Sequence, residues 1–461
     1  QTDASRMLKG DYGAFNELSL RVKRAKDLFL IIGPPGTGKT SYGLLNTVKE
    51  ELLEEGSSVL LTSFTNRAVD EICSKLHEEG IGFLRIGGEL NCSAAYKDSL
   101  LSEKVSESNG IESLAEVIAA TRVIVGTTAS LSSNLQLFRL KQFSLAVVDE
   151  ASQILEPHLM GLLSAHDGGI PAIRKFVFIG DHKQLPAVVQ QKEEVSRVGD
   201  PVLNAIHLTD CRLSLFERLL RRYGGDAGVV FMLRKQGRMH REIAMFPNLA
   251  FYNSRLDVVP LPHQEAPLPA CTGVAGGMAD IIATRRMAFV AVPAPQRTPS
   301  EKVNRSEADI IAAMVVGIYE REREVFDADE TVGIIVPYRN QIATVRNAIA
   351  AYGIAALEGI TIDTVERYQG SQRRYIVYGF TVQRYYQLDF LTANVFVDTD
   401  GSIIDRKLNV AMTRAKEHLF MVGNPKLLEK DPVFRRLLDF VRRRGEYFNA
   451  PPPAAHFCRQ Y

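Results

Sequence analysis

Residues 33 to 40 read Gly33-Pro34-Pro35-Gly36-Thr37-Gly38-Lys39-Thr40, with Ser41 next, which is a complete phosphate-loop (Walker A) pattern. Glycines permit a tight turn whose backbone N–H groups face an anion. Lys39 offers a compact positive charge to the terminal phosphates, and the Thr40 hydroxyl is a hard oxygen ligand for Mg²⁺. The apolar run Leu28-Phe29-Leu30-Ile31-Ile32 before the loop and the helical character after it supply the strand, turn and helix that such a loop requires. The pattern predicts a nucleoside triphosphate held by Gly33 through Ser41.

Two further groups carry chemistry that suits this loop. The run Leu145-Ala146-Val147-Val148 ends in Asp149-Glu150-Ala151-Ser152-Gln153. There Asp149 suits Mg²⁺, together with Thr40, and Glu150 suits polarising an attacking water. An Asp-Glu pair at a strand end is by itself more often a solvated turn, and it gains meaning from the phosphate loop upstream. The next apolar run, Phe176 to Ile179, leads to Gly180-Asp181-His182-Lys183-Gln184-Leu185-Pro186, where Gln184 is placed to touch both water and γ-phosphate. Downstream, Arg414 in Asn409-Val410-Ala411-Met412-Thr413-Arg414-Ala415-Lys416 is expected early in a helix, as an arginine finger, and Arg238 is a second candidate for the same phosphate. A lone arginine is otherwise a surface ion pair.

The elements that must hold these groups follow from the apolar runs. Val59-Leu60-Leu61, Val123-Ile124-Val125, Leu145 to Val148 and Phe176 to Ile179 alternate with helical periodicity, as buried parallel strands do. After the break Tyr223-Gly224-Gly225-Asp226 a second set begins: Val229-Val230-Phe231, Phe289 to Val292, Val332 to Val336, Tyr375 to Tyr378 and Leu419 to Val422. The expectation is an α/β protein of two parallel-sheet lobes, residues 1–225 with a helical insertion at about 84–121, and residues 226–461. Lobe two has no phosphate loop of its own. Residues 253–304, rich in Pro, Ala and Gly, are expected to wind over its surface. The clusters Arg435-Arg436 and Arg442-Arg443-Arg444 read first as a solvated helix face.

Composition bounds the partners. Lys plus Arg number 55 against 54 Asp plus Glu, so any surface for a polyanion is local. Cys73, Cys92, Cys211, Cys271 and Cys458 form no CxxC pair, which argues against a zinc site or a disulfide framework and for a reducing compartment. No run approaches the length of a membrane helix and no signal peptide opens the chain, so a cytoplasmic or nuclear location is expected, without membrane or secretion. The chain begins at Gln1, close to the phosphate-loop strand, as a piece of a longer polypeptide would.

Taken in order, these segments resemble the superfamily 1 helicases of the Upf1-like group, which also includes the helicase part of Dna2. Besides the phosphate loop, Asp149 to Gln153, Gly180 to Pro186 and the Arg414 segment, the resemblance rests on Leu61 to Asp70, Gly126-Thr127-Thr128, Ser214 to Leu219, Arg238-Met239-His240, Asn304 to Ala308, Ile335 to Gln341 and Ile362 to Gly370. It implies two RecA-like domains with ATP and Mg²⁺ between them, and translocation 5′ to 3′ along a single strand. Thr65, Asn66, Thr127, Thr128, Pro337, Tyr338 and Thr364 match the residues that contact the strand, largely through phosphate and sugar. The two long segments around Thr65 and Asp149 look slightly closer to Dna2, which favours DNA over RNA. The alternatives are an ATP-switched clamp on nucleic acid, or an RNA helicase without processive DNA unwinding.

The chain departs from the group's pattern at several points. Gly237 stands where a tyrosine usually stacks on adenine, and between Asp11 and Lys26 there is Asn16 but no adenine-reading glutamine. Gln372 replaces an acidic residue that often touches the ribose. The residues before the phosphate-loop strand are too few for the small barrel that the group usually carries there. No nuclease motif or cysteine-rich cluster is present.

Overall fold

Runs of Leu, Ile, Val and Phe without polar alternation cannot show one face to water, and in this chain they become strands covered on both sides. The computed structural model describes residues 2–106, 111–268, 277–292 and 300–450. It divides into two compact units, Gln1–His182 with Pro186–Arg234, and Lys183–Leu185 with Lys235–Tyr461.

The first unit is built on β1 (Leu28–Ile32), β2 (Val59–Ser63), β3 (Leu84–Ile86), β4 (Val123–Thr127), β5 (Leu145–Val148), β6 (Phe176–Gly180) and β7 (Val230–Met232). These seven form one sheet in the order β3-β4-β2-β5-β6-β1-β7, every pair parallel. Alternate residues of the same strands feed two different cores. Phe29, Ile31, Leu61, Val125, Val147 and Ile179 enter one. Leu30, Leu60, Ile124, Ala146, Val148 and Phe178 enter the other. This is the two-residue period of a strand expressed as a three-layer α/β unit.

The second unit is built on β8 (Met287–Ala291), β9 (Val332–Ile335), β10 (Thr361–Asp363), β11 (Arg373–Gly379), β12 (Ala415–Gly423) and β13 (Tyr447–Phe448). Its six strands run parallel in the order β10-β9-β11-β12-β8-β13. A long helix, Arg305–Glu322, covers one face and is buried along most of its length. Asn304 caps it by accepting from the Glu307 N–H at 3.1 Å. Gln341 clamps that cap, its Oε1 accepting from Asn304 N at 2.8 Å and its Nε2 donating to Asn304 O at 2.9 Å. Both units are thus RecA-like parallel-sheet domains in tandem.

Several boundaries differ from the sequence expectation. The run Val229 to Phe231, expected in lobe two, leads into β7, which pairs with β1, with Leu30 opposite Val230. An apolar run states its need for burial but not its sheet, so the Gly-rich break is a turn inside the first unit and the division falls after Arg234. Leu84–Ile86, at the head of the expected insertion, is the edge strand; short turns and the helices Leu101–Ser106 and Ile111–Ala120 follow it. Within 253–304 the described part includes helix Met278–Thr284 and β8, while Pro293 and Pro295 lie outside the described residues. Arg442 and Arg444 are ion-paired, Arg442 with Glu429, and Arg444 with Glu242 at 2.7 Å and Glu446 at 3.0 Å. Among the described residues no helix is long and apolar enough to cross a membrane.

Candidate nucleotide and nucleic-acid sites

Each chemistry-bearing segment of the first unit leaves the carboxyl end of a strand, where a parallel sheet opens its ligand crevice. β1 runs into the phosphate loop. Gly33 N donates to Gly180 O at 2.9 Å, tying the loop to the end of β6. Gly36 and Gly38 adopt φ of 76° and 72°, a left-handed backbone that side chains rarely accept. Thr37 Oγ1 donates to Pro34 O at 2.7 Å and closes the turn from within. A wide helical turn, Lys39–Leu44, then leads into the helix Leu45–Leu52.

β5 brings the acidic pair to this loop. Thr40 Oγ1 donates to Asp149 Oδ2 at 2.8 Å, and Lys39 Nζ pairs with Glu150 Oε1 at 2.8 Å. Asp149 is 2% exposed, and its carboxyl is pushed up to about 6 by burial and by the neighbouring Glu150 charge, with Lys39 opposing. Lys39 shows the balance from the other side. Burial works against its charge, but Glu150 and Asp149 outweigh that and hold its pKa above the ordinary lysine value. The donor set fits Mg²⁺: a buried carboxylate and a threonine hydroxyl already side by side, both hard oxygens, in a place where burial penalises negative charge that has no cation to balance it. Glu150 sits at φ 50°, which swings its carboxylate off the line of β5, and Gln153 Nε2 holds Oε2 at 3.0 Å. That orienting role of Gln153 carried no sequence signal, since a glutamine three residues on is read equally well as loop.

The arginine segments lie in the second unit. Arg414 follows the helix Arg406–Met412 and directly precedes β12, a correction to its expected place early in a helix. It is 2% exposed; Nε donates to Val410 O at 3.1 Å, Nη1 to Ser371 O at 3.4 Å and Nη2 to Gln184 Oε1 at 3.3 Å, Gln184 being grouped with this unit. Arg238 Nη1 donates to Thr413 O at 3.3 Å, beside the same turn. Gln372 follows in the loop that begins at Gly370, at φ 84°, and its carbonyl accepts from Arg373.

The strand-contact candidates share one position in the topology. Thr65 and Asn66 follow β2, Thr127 ends β4 and Thr128 opens the next helix, Pro337 and Tyr338 follow β9, and Thr364 follows β10. Thr65 is exposed and caps the helix Asn66–Glu78, accepting from Ala68 N at 3.2 Å; Asn66 is half-buried. Thr127 does the same for a short helix, accepting from Ser130 N at 3.0 Å. Thr128 is buried and Tyr338 is 9% exposed, its ring stacked under Phe390 at 5.1 Å. Tyr338 and Thr364 precede helices as well, but neither side chain caps its helix.

The comparisons with known proteins cover nearly all of this framework. Two family models, each described as an AAA domain, match residues 16–116 with 108–192, and residues 211–426. "DNA replication ATP-dependent helicase/nuclease DNA2" of Bos taurus is 30% identical over 96% of this chain, which spans 40% of that protein. "DNA polymerase alpha-associated DNA helicase A" of Schizosaccharomyces pombe is 25% identical over 95% of the chain, covering 68% of its own length. The chain belongs to the Upf1-like superfamily 1 helicases. Among solved structures, arterivirus nonstructural protein 10 (helicase) matches 86% of this helicase domain and 59% of its own chain, at 14% identity and a TM-score of 0.41.

The helicase domain's departures from its group can now be placed. Asn16, the one side-chain amide between Asp11 and Lys26, is spent locally: its Nδ2 donates to Asp11 Oδ1 at 2.8 Å and its Oδ1 accepts from Tyr12 N at 2.7 Å. Gly237 precedes Arg238 and presents no ring.

Proposed function

We propose that this helicase domain hydrolyses ATP to ADP and phosphate and spends the cycle on moving 5′ to 3′ along single-stranded nucleic acid, DNA in preference to RNA. The observation that carries the reading is the double pairing at the ends of β1 and β5, Lys39 with Glu150 and Thr40 with Asp149. Lys39 binds the terminal phosphates, and the loop amides of Gly33 to Ser41, including Pro34, Pro35 and Thr37 in its turn, shape the anion site. Glu150 accepts the proton of the attacking water, with Gln153 fixing its orientation. Mg²⁺, held by Thr40 and Asp149, supplies charge neutralisation at the phosphates when bound. Gln184 orients the water, and Arg238 and Arg414 offer guanidinium charge to the γ-phosphate in the transition state. Gln372 touches the ribose.

The strand is gripped by Thr65, Asn66, Thr127, Thr128, Pro337, Tyr338 and Thr364, through neutral donors that hold a phosphate and still let it slide. DNA rather than RNA is supported by the relatives, which are named as a DNA replication helicase/nuclease and a DNA helicase. The setting is intracellular, where ATP and nucleic acid are found, and further domains of a longer polypeptide are the expected partners.

The test is steady-state ATP turnover with single-stranded DNA and with single-stranded RNA of equal length, using Lys39→Ala as control. Stimulation by DNA above RNA is expected, with none in the control. Equal or greater stimulation by RNA overturns the polymer assignment, and stimulation without strand displacement leaves a clamp.

A further inference from the structure

The phosphate loop accounts for a nucleotide's charged end and leaves its base without a partner. Asn16 is bound to its own turn. Gly237 has no ring. A base needs a flat face near the start of the loop helix, because the phosphates sit on the N–H groups there and the nucleoside extends from the innermost one.

One aromatic side chain in that turn is available. Tyr42 lies one turn after Gly38, its N–H donating to Gly38 O at 2.8 Å. Helical side chains lean toward the N-terminus, so its ring reaches back over the loop. A Cβ placed on Gly38 would stand 2.5 Å from Tyr42 Cδ2, so the bare Gly38 backbone is what makes room for the ring. Tyr42 is 54% exposed although it adjoins one of the most buried parts of the unit. Behind it Phe15 stacks at 5.1 Å between centroids with 22° between planes, and Phe15 is itself packed on the core beneath the sheet. A ring supported on one face, open on the other and seated beside the phosphate loop is the form of a stacking shelf.

We propose that Tyr42, backed by Phe15, is the shelf on which the base of the bound nucleotide stacks. The proposal rests on the nucleotide site proposed above and deepens it, because it names the base contact and its selectivity. A ring face reads no hydrogen-bonding edge, so ATP and GTP are held alike. In Tyr42→Ala, KM for ATP rises about tenfold while kcat is kept, and Tyr42→Phe retains the original KM. Tripolyphosphate, which has charge but no base, inhibits the original domain and Tyr42→Ala equally.

An unchanged KM in Tyr42→Ala, with turnover still lost in Lys39→Ala, overturns the shelf and leaves the nucleotide site standing. A tripolyphosphate inhibition constant that rises in step with KM also overturns it, since the ring then merely supports the loop. Turnover that survives Lys39→Ala overturns the nucleotide reading itself.

Discussion

Lys39 and Glu150 form an ion pair, Nζ to Oε1 at 2.8 Å, between the residue read as the phosphate-binding cation and the one read as the general base. The pair holds both groups at one point and satisfies both charges. In the proposed mechanism an arriving triphosphate offers Lys39 a denser anion, and release of Lys39 frees the carboxylate of Glu150 to accept a proton.

Glu150→Gln keeps the shape and removes the base and the ion pair together. Nucleotide affinity is expected to hold or rise, because Lys39 is released, while kcat falls by about 10²-fold or more. Binding of a fluorescent nucleotide set beside single-turnover hydrolysis checks this, and unchanged hydrolysis refutes the role of Glu150.

Arg414→Ala should bind ATP and lose turnover by about 10³-fold, the scale of an arginine finger. Arg414→Lys should recover little of it, because an ammonium cannot reproduce the fork that reaches Val410, Ser371 and Gln184. Thermal unfolding of the two variants separates lost catalysis from lost packing around this buried side chain.

Gly38→Ala meets two obstacles at once, a left-handed backbone at φ 72° and the Tyr42 ring at 2.5 Å. A loss of about 1–2 kcal/mol in stability is expected from the backbone alone. A larger rise in KM for ATP should accompany it. Gly56→Ala, also left-handed at φ 70° but in open space, is the control that shows the backbone cost without the clash.

Glu307 gives the second unit a pH dependence. Burial pushes its carboxyl up to about 8, opposed by hydrogen bonds to Oε2 from Thr381 N at 2.8 Å and Oγ1 at 3.1 Å. The folded protein therefore keeps this proton at pH values where the unfolded chain, with an ordinary carboxyl near 4.5, has lost it. Between those values the unfolded state binds fewer protons, so stability falls as pH rises from about 4.5 toward about 8. Asp405, pushed up to about 7 chiefly by burial, adds in the same direction. Glu307→Gln should flatten much of this slope, an effect on the order of a few kcal/mol. Urea midpoints at several pH values measure it, and an unaltered slope counts against the buried proton.

The strand-end positions of the phosphate loop and the acidic pair were legible because each is a run of consecutive residues directly after an apolar run. Arg414 was misplaced by one element, since Leu408 to Met412 reads as helix right up to the threonine before it. The allocation of Val229 to Phe231 failed for a different reason. Three apolar residues record that a strand is buried, whereas the choice of β1 as neighbour is a long-range pairing at that sheet's open edge, which those residues do not encode. Tyr338 shows the limit for the strand contacts. Its position after β9 follows from the sequence, but Phe390, which covers its ring, lies in another segment of the chain.

The two neighbours of β1 are β6 and β7, and both come late in the first unit. During synthesis the strand that carries the phosphate loop is therefore the first of its sheet to emerge and the last to be flanked on both sides. Until Phe176 to Gly180 leaves the ribosome, Leu28 to Ile32 is an apolar strand with two open edges, and one stays open until Val230 to Met232 follows, a template for pairing with another chain. A fragment cut at residue 225 would keep every group of the nucleotide loop and still expose one whole edge of the strand that bears it.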